Sequence, residues 1–113
     1  MNNAITVFKS GLFQEQVNSL TFKENNFAFK KCRALVEMIK ADLYISHLEK
    51  IEKQGFELPL YLMKTQKNWR VILTLDQNNI LTYLRLIELK DVETALETLH
   101  LDDVFPCDFK VFW

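Results

Sequence analysis

The stretch Asn68–Glu93, "NWRVILTLDQNNILTYLRLIELKDVE", decides the architecture. Trp69, Val71, Leu73 and Leu75 alternate with Arg70, Ile72, Thr74 and Asp76, a period of two that reads as a strand. Asn78 and Asn79 then suit a two-residue hairpin turn, because Asn tolerates positive φ better than most residues. The returning segment "ILTYLRLIEL" is apolar at both parities, as expected of a central strand covered on both faces. Upstream, Leu58, Leu60 and Leu62 alternate with Pro59, Tyr61 and Met63. Pro59 has no N–H to give a ladder, so that strand should begin near it, and the polar "KTQKNW" links it to the next.

If both connections are two-residue turns, Val71 faces Leu62 and Leu86, and a slip of one residue would reverse every face. In this register Leu60, Leu62, Val71, Leu73, Leu84 and Leu86 form one wall. Burial of each such side chain stabilises by about 1.5–3 kcal/mol, which favours the register. The other face then carries Tyr61, Met63, Arg70, Ile72, Tyr83, Arg85 and Ile87. Arginine beside aromatics can hold a phosphate backbone and stack a base. The same surface is apolar enough, through Met63, Ile72 and Ile87, to be a protein-binding groove. Residue types alone leave both readings open.

Outward from the hairpin, "ITVFKS" near the N-terminus reads as a short strand ending where Ser10 can cap a helix, in which Phe13, Val17 and Leu20 recur at helical spacing. A second helix is expected through "FAFKKCRALVEMIKADL", with Cys32, Leu35, Val36, Ile39 and Leu43 as its apolar stripe. The polar "TFKENN" joins the two as an antiparallel pair packed on the sheet. "HLEKIEKQG" reads as a further short helical turn stopped by Gly55. Asp91 can cap a last helix whose buried stripe is Val92, Ala95, Leu96 and Leu99. The expected fold is α+β: an antiparallel sheet of about four strands, an N-terminal helical hairpin on one face and a C-terminal helix.

The 113 residues, 49% hydrophobic and 26% charged, suit a single domain over 1–113 with one core. A net charge of −1 restricts any nucleic-acid site to a local patch. Two glycines leave no phosphate-cradling loop, and no Gly-x-Ser-x-Gly, Walker or dinucleotide motif occurs. His47 and His100 lack ligand partners at metal-binding spacing, so neither metal nor cofactor is expected. Cys32 reads as a small buried hydrophobe, and Cys107 has no basic partner to activate it. Without an apolar run of membrane-spanning length or a signal segment, the expectation is a soluble, cytoplasmic chain with no membrane contact. The aromatic tail 104–113, with Phe109, Phe112 and Trp113, needs cover. It is expected to pack back on the sheet, with a homodimer or a partner chain as the alternative.

"WRVILTLD" followed by "YLRLIELKDVE", with "DLYISHLEKI" closing the helical region, resembles the RelE/ParE toxin superfamily of bacterial toxin–antitoxin modules. There a pattern Y-R-V-I-F-x-x-D leads into L-L-R-V-G-H-R-x-D-V-Y on a curved antiparallel sheet after a helical pair. The resemblance implies a toxin that cleaves ribosome-bound mRNA, with an antitoxin-like partner. Arg70 alone matches the family's catalytic pattern; Arg85, from the same sheet face, and Lys90 complete the catalytic candidates, and Tyr61 and Tyr83 of that face, with Lys64, are the candidate RNA contacts. The G-H-R segment is here Ile87-Glu88-Leu89, with Lys90 one place on as a substitute. Tyr61 and Met63 stand where the preceding strand carries lysines, and Lys64 falls at the other parity. Two alternatives keep the fold: a ParE-like topoisomerase inhibitor, and a non-catalytic interaction domain. The latter binds a partner or a second copy through Met63, Ile72, Ile87, Phe109, Phe112 and Trp113.

Overall fold

The computed structural model describes residues 5–100 and 109–111. Strand β1 (Thr6–Lys9) ends at Ser10, whose extended backbone and hydroxyl cap helix α1 (Gly11–Asn18) by accepting the Phe13 N–H at 3.0 Å. The same hydroxyl donates to the Leu84 carbonyl at 2.8 Å, so the cap also ties α1 to the sheet. Helix α2 (Phe22–Lys40) starts at Phe22, earlier than the Phe27 expected, because Thr21 and Glu24 form a capping box. Its stripe of Ala28, Cys32, Leu35, Val36 and Ile39 is buried. Leu43 does not extend that stripe: the helix stops at Ala41, Asp42 takes a left-handed φ of 60°, and Leu43 is 65% exposed.

A short 3-10 turn at Ile45–His47 leads into strand β2 (Glu49–Ile51), where a helical turn was expected. Pairing of Glu49 with Leu62 and of Ile51 with Leu60 satisfies its backbone on the sheet and puts Ile51 against apolar neighbours. Gly55, with φ of 80°, then reverses the chain. Strands β3 (Leu60–Gln66), β4 (Trp69–Leu75) and β5 (Ile80–Glu88) follow as an antiparallel meander, β3 beginning just after Pro59. Helix α3 (Val92–Thr98) follows β5 after a 3-10 turn, and strand β6 (Phe109–Val111) closes the described order. The six described strands lie in the order β2-β3-β4-β5-β1-β6, with β1 parallel to β5 and all other pairs antiparallel. The expected α+β architecture holds, with β2 and β6 added at the two edges.

Two irregularities set the faces. The β3–β4 turn is Lys67–Asn68, and a register shift between Lys64 and Gln66 leaves Thr65 bulged, so Val71 faces Met63 and not Leu62. The β4–β5 turn has three residues, Gln77–Asn79, with the left-handed residue Asn79 at φ of 60° and Asp76 N–H bonded to the Ile80 carbonyl. Asp76 Oδ1 accepts the N–H groups of Asn78 and Ile80 at 2.8 and 3.0 Å and fixes that turn. A bulge at Leu84 restores the alignment, so Val71 does face Leu86 as expected.

The consequence is two cores on opposite sides of the sheet. On one side α1 and α2 bury Met63, Val71, Leu73, Leu81, Tyr83 and Leu86. On the other, Leu99, Ala95 and Leu96 of the α3 region and Phe56 and Leu58 of the β2–β3 connection cover Leu60, Ile72 and Leu84. Among the described residues no helix is long and apolar enough to cross a membrane.

Candidate functional site

Residues directly opposed on neighbouring strands share a face, with Cβ atoms about 4.5–5.5 Å apart. Lys64 opposes Arg70, which opposes Ile87, and one row inward Leu62 opposes Ile72, which opposes Arg85. Arg70 and Arg85 therefore lie on the same face, as the hairpin arithmetic anticipated. Lys64 joins them. Its assignment to the opposite parity is corrected by the Thr65 bulge, and the sheet gains a directly opposed Lys–Arg pair.

The remaining expected members separate. Tyr61, Met63 and Tyr83 turn to the helix side, and the face-mates placed with them by a two-residue turn count are replaced by Leu60, Leu62 and Leu84. Tyr83 is fully buried, stacks on Phe13 with ring centroids 5.4 Å apart and donates its hydroxyl to the Cys32 carbonyl at 2.8 Å. No base can reach it. Burial pushes the Cys32 thiol up to about 12, opposed in part by the Tyr83 hydroxyl, and burial with the adjacent thiol raises the Tyr83 phenol well above its ordinary value. Met63 and Ile72 are likewise interior, and Ile87 is half-buried under the α3 side, so only Ile87 of these three keeps accessible surface. Phe109 contributes its backbone to β6 beside β1, while Phe112 and Trp113 lie outside the described residues.

The two guanidinium groups differ in environment. Arg70 is half-buried, and its Nη1 donates to the carbonyls of Gln66, Lys67 and Trp69 at 3.0, 3.2 and 3.0 Å, gathering the β3–β4 turn. Arg85 is 8% exposed and its Nη1 donates to the Leu84 carbonyl at 2.9 Å. That carbonyl also receives the Ser10 hydroxyl, and the Leu86 N–H is taken by Gln16 Oε1 at 2.8 Å, so α1 side chains satisfy the backbone around the bulge. Lys64 is exposed and makes no ion pair among the described residues. Lys90 projects into solvent with its Nζ 3.4 Å from Glu88. The Asn68 carbonyl accepts the Leu89 N–H at 2.7 Å, and a cavity of about 380 Å³ lined by Asn68, Glu88, Leu89 and Lys90 opens at this end of the sheet. Among the described residues no cluster of three or more His, Cys, Asp or Glu could hold a metal.

The arrangement defines an α+β RelE-like fold with a cationic pair at the turn end of the sheet. No family model matches the chain, and no curated protein does. Among solved structures, the archaeal RelE–RelB complex from Pyrococcus horikoshii OT3 contains a chain similar at a TM-score of 0.57 and 20% sequence identity, covering 74% of this chain and 93% of that one. At this identity the likeness is one of fold.

Proposed function

We propose that this chain is a RelE-like toxin-module protein that acts on ribosome-bound mRNA by holding its phosphate backbone at the Lys64–Arg70 row, and that it blocks decoding by occupancy without cutting the message. The observation that carries this is the direct opposition of Lys64 and Arg70. Like charges in directly opposed positions destabilise a sheet. Their row is completed by Ile87 and not by a carboxylate, so an anion from outside is the natural counter-charge. Arg70 keeps its position through the turn carbonyls, which presents its guanidinium in one orientation to a phosphate.

Cleavage needs more than two cations. A group must take the 2′-hydroxyl proton and another must protonate the leaving oxygen, and each missing transition-state donor costs on the order of 10²–10³ in rate. Tyr83 is interior, Arg85 is held in the sheet and Lys90 lies beside Glu88, which supports binding over catalysis. An antitoxin-like protein is the partner such a module would carry, a reading supported by the neighbouring fold having been solved in a RelE–RelB complex.

Expression of the chain alone in a bacterial host tests the proposal. Growth arrest with full-length message by primer extension is expected, and Lys64→Ala, an exposed position, should relieve it. Cut message would overturn the occupancy mechanism. Arrest untouched by Lys64→Ala would overturn the site.

A further inference from the structure

We infer that the outward face of α2 is a second RNA-docking surface, which takes the phosphates of a stem–loop RNA on Lys23, Lys30, Lys31 and Arg33 with an unpaired base against Phe27. It rests on the RNA reading above but uses the other side of the molecule: α2 packs on the sheet face opposite Lys64 and Arg70. The two surfaces therefore engage different stretches of RNA.

The chain carries a net charge of −1, yet α2 holds five cations (Lys23, Lys30, Lys31, Arg33, Lys40) against two acids (Glu24, Glu37), a local balance of +3. Both acids are already engaged. Glu24 Oε2 accepts the Thr21 N–H and hydroxyl in the capping box, and Glu37 lies 3.6 Å from Lys40. From residue 25 to residue 36 no acid occurs. Lys23, Lys30, Lys31 and Arg33 are exposed and have no ion pair among the described residues. Helix stability does not explain Lys23, because a cation in the first turn opposes the macrodipole.

Aromatic rings sit among these charges: Phe27 is 41% and Phe29 37% exposed. Lys23, Phe27 and Lys30 follow at i, i+4 and i+7, a single stripe about 10 Å long on the helix surface. Cations flanking an exposed ring along one line are the groups that hold phosphates and stack an unpaired base. An anionic membrane fits less well, since a surface-bound helix needs its apolar stripe facing the lipid, and the stripe of α2 is buried in the protein core.

The test is binding of a stem–loop RNA of about 20 nucleotides to the full chain across a salt series. Lys30→Glu/Lys31→Glu should weaken binding at least tenfold and reduce the log–log salt slope by about 1.5–2. Lys30→Gln/Lys31→Gln, an uncharged variant that leaves the fold least disturbed, should lower the slope in the same direction. Phe27→Ala should weaken binding about 5- to 100-fold with the slope unchanged. Lys50→Ala, an exposed cation on β2 outside both surfaces, should leave stem–loop affinity within about twofold. Charge variants that stay folded by circular dichroism and bind like the parent would overturn the inference, as would tighter binding to heparin or anionic vesicles than to RNA. Loss of binding in Lys64→Ala with the α2 variants unaffected would remove this surface and leave the proposed function standing. Growth arrest without any stem–loop binding would do the same.

Discussion

Alkaline pH should destabilise this protein through a buried thiol. Cys32 is 1% exposed on the buried stripe of α2, and burial lifts its thiol from 9.0 to about 12. In the unfolded chain the thiol ionises near 9, so between these values the native state retains a proton that the unfolded state has lost. Stability is therefore fully present below pH 9 and falls as pH rises, by about 1.4 kcal/mol per unit. Carried from 9 to 12, that amounts to about 4 kcal/mol, a large share of the roughly 5–15 kcal/mol expected of a small domain. Tyr83, whose phenol is raised in the same direction, adds to the loss above its ordinary value of 10.0. Cys32→Ala tests the thiol with the Tyr83 hydrogen bond intact, because Tyr83 donates to the backbone carbonyl at position 32, which alanine keeps; it also relieves the upward push of the thiol on the Tyr83 phenol, which acts in the same direction at alkaline pH. The variant should lose about 1 kcal/mol at neutral pH for the atom removed, then cross the parent near pH 10 and be the more stable protein above it. Urea titrations followed by tryptophan fluorescence at half-unit pH steps would show the crossing. Two curves that stay parallel from pH 8 to 11 would refute the assignment of Cys32 as a buried neutral thiol in the folded state.

Ser10→Ala removes both the N-cap bond to Phe13 and the buried bond to Leu84, and should cost about 2 kcal/mol in urea unfolding. At Asn79, with φ of 60°, Gly should be tolerated within about 0.5 kcal/mol while Val costs about 1–2 kcal/mol, read as a fall in Tm. Arg70→Lys keeps the charge but not the three-carbonyl bridge, so stability should drop by about 1 kcal/mol while RNA affinity falls only severalfold; Arg70→Ala should lose both. RNA affinity that collapses in the lysine variant would make guanidinium geometry, and not charge, the determinant.

The helices and strands were readable because capping chemistry and period leave local marks: Ser10 before α1, Pro59 before β3 and the switch to alternation at Leu60. The Thr21–Glu24 box is equally legible, although its polar residues read as a connector when taken by composition. Face assignment is a different problem. In β3, Leu60 and Leu62 alternate with Tyr61 and Met63, and in β5 both parities are apolar, so a slip of one residue exchanges one buried set for another at little cost in transfer free energy. What chose between them was turn geometry: a three-residue loop ending at left-handed Asn79, and bulges at Thr65 and Leu84, none marked by a glycine. The site inherits that uncertainty, because the Thr65 bulge alone moves Lys64 beside Arg70, while the altered β3 register removes Tyr61 and Met63. The burial of Arg85 could not be read from its own strand either, since α3 and the 53–58 connection, which close that face, meet it only in the folded sheet. The composition of a surface built on such strands is decided by backbone irregularities, so moving one bulge in this protein would change its chemistry without changing its fold.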